Sequence, residues 1–311
     1  MQAGADHVAA EARYELGLAL IRLGRFTEAV KHIEDAYFDS QELSFRSLAS
    51  KAARSLVGAH GKDLTDSTTG RAWARHAQIL IDPETQPIEQ AHLNLKRATV
   101  EISAGEHALA VDLAQEALTT FESAYGGYGA DTLLAKQVLF AAYDRARNAK
   151  DAAVIAREVL QARIEAHGPM HPTTLEAHSN LAAVLISTHE FEEAETHART
   201  SIATGTTPDV ATSVHMENLS LVLSQTGRTE EALELNETVL EVRRKHLPAD
   251  HAQIGHALVN RSVMLYGLQR IDEIAPLVDE AIAIYLNQSG PQSPHLISTC
   301  LLYTSPSPRD S

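Results

Sequence analysis

The stretch Gly227-Arg-Thr-Glu-Glu-Ala-Leu-Glu-Leu-Asn-Glu-Thr-Val-Leu-Glu-Val242 decides how this chain folds. Ala232, Leu235, Val239 and Val242 recur at helical steps, so one apolar stripe faces a core. Gly227 suits the left-handed residue that closes a preceding helix. Glu230 and Glu231 follow in the first turn of the next helix, where the backbone dipole favours negative charge. Further on, Ile274, Leu277, Val278, Ala281, Ile282 and Tyr285 form a second stripe of the same period, which no strand presents. Pro276 fits there only if its helix begins near Asp272, leaving the proline in the first turn.

Leu16-Gly17, Leu20, Gly24, Phe26, Ala29, Ile33 and Ala36 share their skeleton with Asn218-Leu219, Leu223, Gly227, Ala232 and Val239. Between them lies Asn180-Leu181-Ala182, Leu185, Phe191, Ala194 and Ala198. The small residue after each turn serves as a marker: Ala29, Gly70, Ala110, Ala152, Ala194, Ala232 and, enlarged, Ile274, at spacings of 41, 40, 42, 42, 38 and 42 residues. Such a period signals stacked helix pairs, because one pair cannot bury its own stripe and must share a core with its neighbours.

The expected fold is therefore all-α, a right-handed superhelical solenoid of antiparallel helix pairs. One domain, 1–299, holds repeats at about 10–40, 41–82, 88–125, 130–168, 172–205, 209–247 and 250–289, with a truncated eighth from 292. Pro83, Pro87, Pro169, Pro172, Pro208, Pro248, Pro291 and Pro294 all fall between pairs, where no helical bond needs their missing N–H. In the second repeat Gly70, Ala74 and Ala77 hold the second helix, while Leu56 to Thr69 reads as a long irregular connection. Gly126-Gly127-Tyr128-Gly129 reads as a flexible linker.

Composition narrows the function. Among 311 residues, 26 are basic and 41 acidic, for a net charge of −15, and this argues against a nucleic-acid groove built from clustered cations. No apolar run approaches the roughly 20 residues of a membrane span, and the opening, with Asp6, His7 and Glu11, is no signal peptide. A soluble cytoplasmic protein with no membrane contact is expected. From Cys300 the string Cys-Leu-Leu-Tyr-Thr-Ser-Pro-Ser-Pro-Arg-Asp resembles the conceptual translation of a transposon-type sequencing adaptor, so residues 300–311 are read as an artefactual tail. The only cysteine goes with it, and the gene is expected to continue past Thr299.

The skeleton resembles the tetratricopeptide repeat, in the long-period subclass of kinesin light chains and many bacterial regulators. Linkers such as Leu160 to Pro172, ending Gly168-Pro-Met-His-Pro172, carry that likeness, and Gly290-Pro-Gln-Ser-Pro-His295 echoes it. In the third repeat Glu101 stands where the family has a leucine, which leaves the register of Ala91, Leu95, Ala98 and Ile102 open. The opening, from Tyr14 through Phe38 to Arg71-Ala-Trp-Ala-Arg-His76, is similar to the region that follows the catalytic domain of large bacterial serine/threonine protein kinases. No kinase element is present in the sequence, so a catalytic domain would lie upstream of an internal Met1.

The resemblance implies a non-catalytic scaffold that binds an extended peptide or partner protein along the first helices. The alternative is the sensor or substrate-docking region of such a kinase. Asn180, Asn218 and Asn260 share one register, and Asn is a poor helix former, so their recurrence needs a reason beyond propensity. A carboxamide donates and accepts at once; it can hold peptide backbone, as it does in related repeats, or bond the neighbouring repeat and fix the stacking. Glu217, Tyr266 and His178 flank the column as candidate specificity residues, and an acidic groove would prefer a basic segment.

No cofactor or metal is expected: His167 with His171 and His251 with His256 are close histidine pairs, and none belongs to a His-Glu-x-x-His motif. No Gly-x-Ser-x-Gly elbow suggests catalysis, Trp73 reads as a packing residue and Met170 has no evident role. The last complete pair, ending near Leu286, is expected to expose apolar surface and to fray or self-associate.

Overall fold

The computed structural model describes residues 2–203 and 208–289; the expected eighth repeat from 292 and the 300–311 tail lie outside them. All regular structure among the described residues is helical. The chain forms two compact units, Met1–Ala162 and Arg163–Ser311.

In the N-terminal unit, α1 (Gln2–Arg22) packs on α2 (Phe26–Glu42), α3 (Arg46–Gly58) on α4 (Ser67–Leu80), and α5 (Pro87–Ala104) on α6 (His107–Tyr125). Next come α7 (Ala130–Arg145) and α8 (Ala149–His167), the latter running into the second unit. There α9 (Pro172–Ser187) pairs with α10 (Phe191–Ser201), α11 (Val210–Gln225) with α12 (Thr229–His246), and α13 (Ala252–Gly267) with α14 (Ile274–Ser289). A 3-10 turn, Ile271–Glu273, precedes α14 and leaves Pro276 in the helix's first turn, where its missing N–H costs nothing.

The markers work as packing sites. Ala29, Ala110, Ala152, Ala194 and Ala232 are fully buried, and Ile274 is half-buried. Twelve residues before most markers stands another small residue on the facing helix, including Gly17, Ala98, Ala182, Ser220 and Ser262. At Gly17 a Cβ would lie 2.3 Å from Ile33 Cγ1 and 3.2 Å from the Ala29 carbonyl, so α1 and α2 approach as closely as they do only because it is absent. Ser220 Oγ donates to the Ala232 carbonyl at 2.8 Å, binding the two small positions of one pair directly.

The turns obey the same rhythm. Each marker is preceded, five residues earlier, by a residue with positive φ: Gly24, Thr65, Gly105, Arg147, His189, Gly227 and Gln269. The next backbone N–H then reaches back five residues to a carbonyl of the closing helix, as in Arg25 to Leu20, Glu190 to Leu185 and Arg228 to Leu223, each at 2.9 Å. Glycine takes the left-handed conformation without strain, whereas Thr65, Arg147, His189 and Gln269 hold it with a Cβ.

Two sequence expectations change. Leu56 to Thr69 is no irregular loop: α3 runs straight into a π-helical turn, Ala59–Asp63, and only three residues separate that turn from α4. The Leu64 N–H bonds the Ala59 carbonyl at 2.9 Å, five residues back, the wider bonding pattern of a π-turn. Gly61 sits in this turn against α5, where a Cβ would stand 2.4 Å from Val100 Cγ2. Glu101 does occupy the buried leucine-like position, which settles the register of α5. Arg71 of α4 reaches it with two guanidinium nitrogens, Nε lying 3.1 Å from Oε1, and satisfies the carboxylate in place of apolar packing.

Candidate functional site

The first helices α1, α3, α5 and α7 of the N-terminal unit wall a cavity of about 470 Å3. Leu18 and Ile21 come from α1, Ser55 and Gly58 from α3, Ala59 from the π-turn that continues it, His92, Leu95, Lys96, Thr99 and Ile102 from α5, and Leu134, Gln137, Val138 and Ala141 from α7. These residues recur in register: Leu18, Ala59, Thr99 and Ala141 each stand eleven residues before their marker, and Lys96 and Val138 fourteen before. The lining is mainly apolar, and Leu134 remains 44% exposed at its rim. Lys96 lies across Gly58, where a Cβ would meet its Cδ at 3.1 Å and its Nζ at 3.3 Å. Burial is the main cause that pulls the His92 pKa down, with nearby Arg54 and Lys96 adding to it and the Asp131 carboxylate opposing.

Asn180, Asn218 and Asn260 stand in the C-terminal unit at the register that Lys96 and Val138 occupy in the N-terminal one, fourteen residues before their markers. Asn180 is exposed on α9. Asn218 Nδ2 donates to the Ser179 carbonyl at 3.2 Å and to Ser179 Oγ at 2.9 Å, and Asn260 Nδ2 donates to Glu217 Oε1 at 2.9 Å. Both acceptors stand fifteen residues before the previous marker, so each amide staples one first helix to the next. The stacking role of these carboxamides is therefore real for Asn218 and Asn260, and it uses their donors. Tyr266 shares the register of Ile21 and Ile102, eight residues before the marker, and is half-buried.

Glu217 and His178 do not match the expectation of side chains turned to the groove. Arg243, 1% exposed, directs two nitrogens to Glu217 at 3.1 and 2.8 Å, with further bonds to the Gln253 carbonyl at 2.7 Å and Ser213 Oγ at 3.2 Å. Glu217 is thus the counter-ion of a buried arginine, and its placement follows from the cost of leaving that charge uncompensated. His178 points into its own helix pair, where its Nδ1 lies 2.7 Å from His197 Nδ1. Two imidazolium rings cannot share that contact; burial, reinforced by the His197 charge, lowers the His178 pKa to about 4. A comparable buried position in the N-terminal unit is Lys136, which joins Glu158 at 2.8 Å and Glu122 at 3.4 Å.

The histidines of the linkers have local duties. His171 Nδ1 accepts from the Thr173 N–H and His251 Nδ1 from the Gln253 N–H, each at 3.3 Å, capping α9 and α13. The rings of His167 and His171 stack 4.7 Å apart. Gly126 ends α6 with positive φ rather than acting as a free hinge, and Thr132 Oγ1 fastens its carbonyl at 2.8 Å. Trp73 is a packing residue, edge-on to Tyr37 at 5.0 Å.

With this geometry in hand, comparison with known proteins gives the repeat its name. Residues 10–37 and 212–253 each match a model of the tetratricopeptide repeat. These segments are tetratricopeptide repeats. The first covers most of the α1/α2 pair and the second covers α11 and α12. No curated protein sequence matches the chain. A candidate kinesin light chain of Podosopora anserina, with nearly identical TPR-like repeats, is 17% identical over 67% of this chain and 98% of its own, with a TM-score of 0.53. The tetratricopeptide repeat sensor protein of Pyrococcus horikoshii, a signal transduction ATPase with numerous domains, is 12% identical over 88% of this chain and 43% of its own, with a TM-score of 0.65. NprR, solved with its cognate peptide NprX, is 11% identical over 96% of this chain and 85% of its own, with a TM-score of 0.56. At these identities the likeness is one of fold. Among the described residues no helix is long and apolar enough to cross a membrane.

Proposed function

We propose that the chain is a non-catalytic protein-interaction scaffold that holds an extended segment of a partner protein against its first tetratricopeptide helices. The observation that carries this reading is the cavity of about 470 Å3 walled by four first helices in repeating register. A surface built from equivalent positions of successive repeats is a linear track, suited to a linear ligand. In the C-terminal unit the same register carries the asparagines, whose side-chain oxygens remain to accept from peptide N–H groups while two of the amides donate within the stack. The excess of carboxylates, 41 against 26 basic residues, favours a basic ligand segment along that column. NprR, a fold relative that carries its peptide in the solved complex, supports the reading.

Selection of a random-peptide display library on the purified chain, followed by calorimetry with the enriched sequence, tests it. L134E, at the rim of the cavity, and the triple variant N180A/N218A/N260A are each expected to weaken binding at least tenfold in one of the two grooves while circular dichroism stays helical. Enrichment of no sequence, or a peptide indifferent to both variants, rejects the scaffold reading.

A further inference from the structure

A separate cavity of about 270 Å3 opens between α4 and α5 and is lined by Arg71, Arg75, Gln78, Arg97 and Glu101, with Ala74 and Val100 as its apolar floor. Three arginines converge here in a chain whose net charge is −15. Arg71 is fully committed to the buried Glu101, whose two oxygens it takes from one side, so this pair is internally neutral. Arg75 is exposed and makes no side-chain ion pair among the described residues. Among the described residues the Arg97 guanidinium makes one side-chain hydrogen bond, to Asn94 Oδ1 at the long distance of 3.5 Å. Gln78 is held in place by a reciprocal amide pair with Gln90, at 2.8 and 3.2 Å, and Gln90 in turn donates to Asn94 at 2.9 Å. The cavity wall is thus fixed by bonds within the protein, while two guanidinium groups on its rim keep most of their donors unused.

We propose that this cavity is a phosphate-monoester site, in which Arg75 and Arg97 bind the dianion and the Arg71–Glu101 pair fixes the wall behind it. Two uncommitted positive charges match the charge of about −1.5 to −2 on a phosphate monoester near neutral pH. The planar forks of two arginines supply paired N–H donors that a phosphate accepts bidentately, which isolated lysines do not. A volume of about 270 Å3 admits the phosphate together with the stem that bears it. The site lies between a second helix and the following first helix and shares no lining residue with the larger cavity, so its test is separate from that of the peptide reading.

The test is titration of the purified chain, in phosphate-free buffer, with inorganic phosphate and with O-phospho-L-serine, followed through the side-chain Nε–H resonances of Arg75 and Arg97 and by calorimetry. Saturable binding is expected, weakened at least tenfold in R75Q and in R97Q and unchanged in K31Q, a substitution of an exposed cation on α2. Tighter binding of phosphoserine than of inorganic phosphate identifies an ester on a larger molecule as the source, and equal binding identifies the free ion; both uphold the site. A response to both probes no larger than that to serine and chloride, or binding that survives R75Q and R97Q, would overturn it.

Discussion

Glu217 shows how far a single side chain's role depends on a partner the sequence does not announce. Its partner, Arg243, lies 26 residues away and one helix later, and the arginine end of their bidentate contact is buried. Removing one member of such a pair leaves a buried charge, at a cost of about 3–5 kcal/mol, while replacing both by apolar residues of similar size is often neutral. Urea denaturation should therefore find E217A destabilised by about that amount and E217L/R243M much less so. His178 makes a second prediction, in which the sign follows from proton counting. Its folded pKa, about 4, lies below the unfolded value of 6.5, so between these values the unfolded chain binds more protons. The stability due to the neutral pair is complete above about pH 6.5 and is lost as pH falls toward about 4. Proton NMR titration should place His178 well below ordinary histidines, and H178Q should flatten the urea midpoint across that window.

At the scale of the helix pair, the turn is the informative element. Gly24 and Gly227 were legible as helix-closing residues because glycine advertises a left-handed backbone. Thr65, Arg147, His189 and Gln269 adopt the same conformation at the same distance from their markers, yet nothing in their side chains signals it. They became visible only once the period was imposed by the alanines. The left-handed region costs a residue with a Cβ roughly 1 kcal/mol or more, so R147G, H189G and Q269G should each stabilise the fold by about 1 kcal/mol, less what glycine adds to the entropy of the unfolded chain. Thermal denaturation of the three variants checks this. The π-turn at Ala59–Asp63 stayed hidden for a related reason: Gly58 and Thr65 stand as far from Gly70 as their counterparts in other repeats stand from their markers, so the spacing carries no sign of it. Glu101 looked like a break in the pattern because its neutralising arginine comes from the preceding pair.

For each unit as a whole, the stack and its groove are two aspects of one periodicity. The small residues that let helices of a pair approach fix where the first helices present their outer registers, and those registers line the cavity in the N-terminal unit. The asparagines drew attention to the register because one residue type recurs there, but the cavity itself lies where Lys96 and Val138 occupy it and no residue type repeats. A groove of this kind is written in spacing more than in composition. Its most direct test is hydrogen–deuterium exchange of the full chain with and without a display-selected peptide. Slowed exchange is expected on first helices, foremost α5 and α7, with α2, α4 and α6 unchanged. Protection confined to the second helices, or none at saturating peptide, would contradict it.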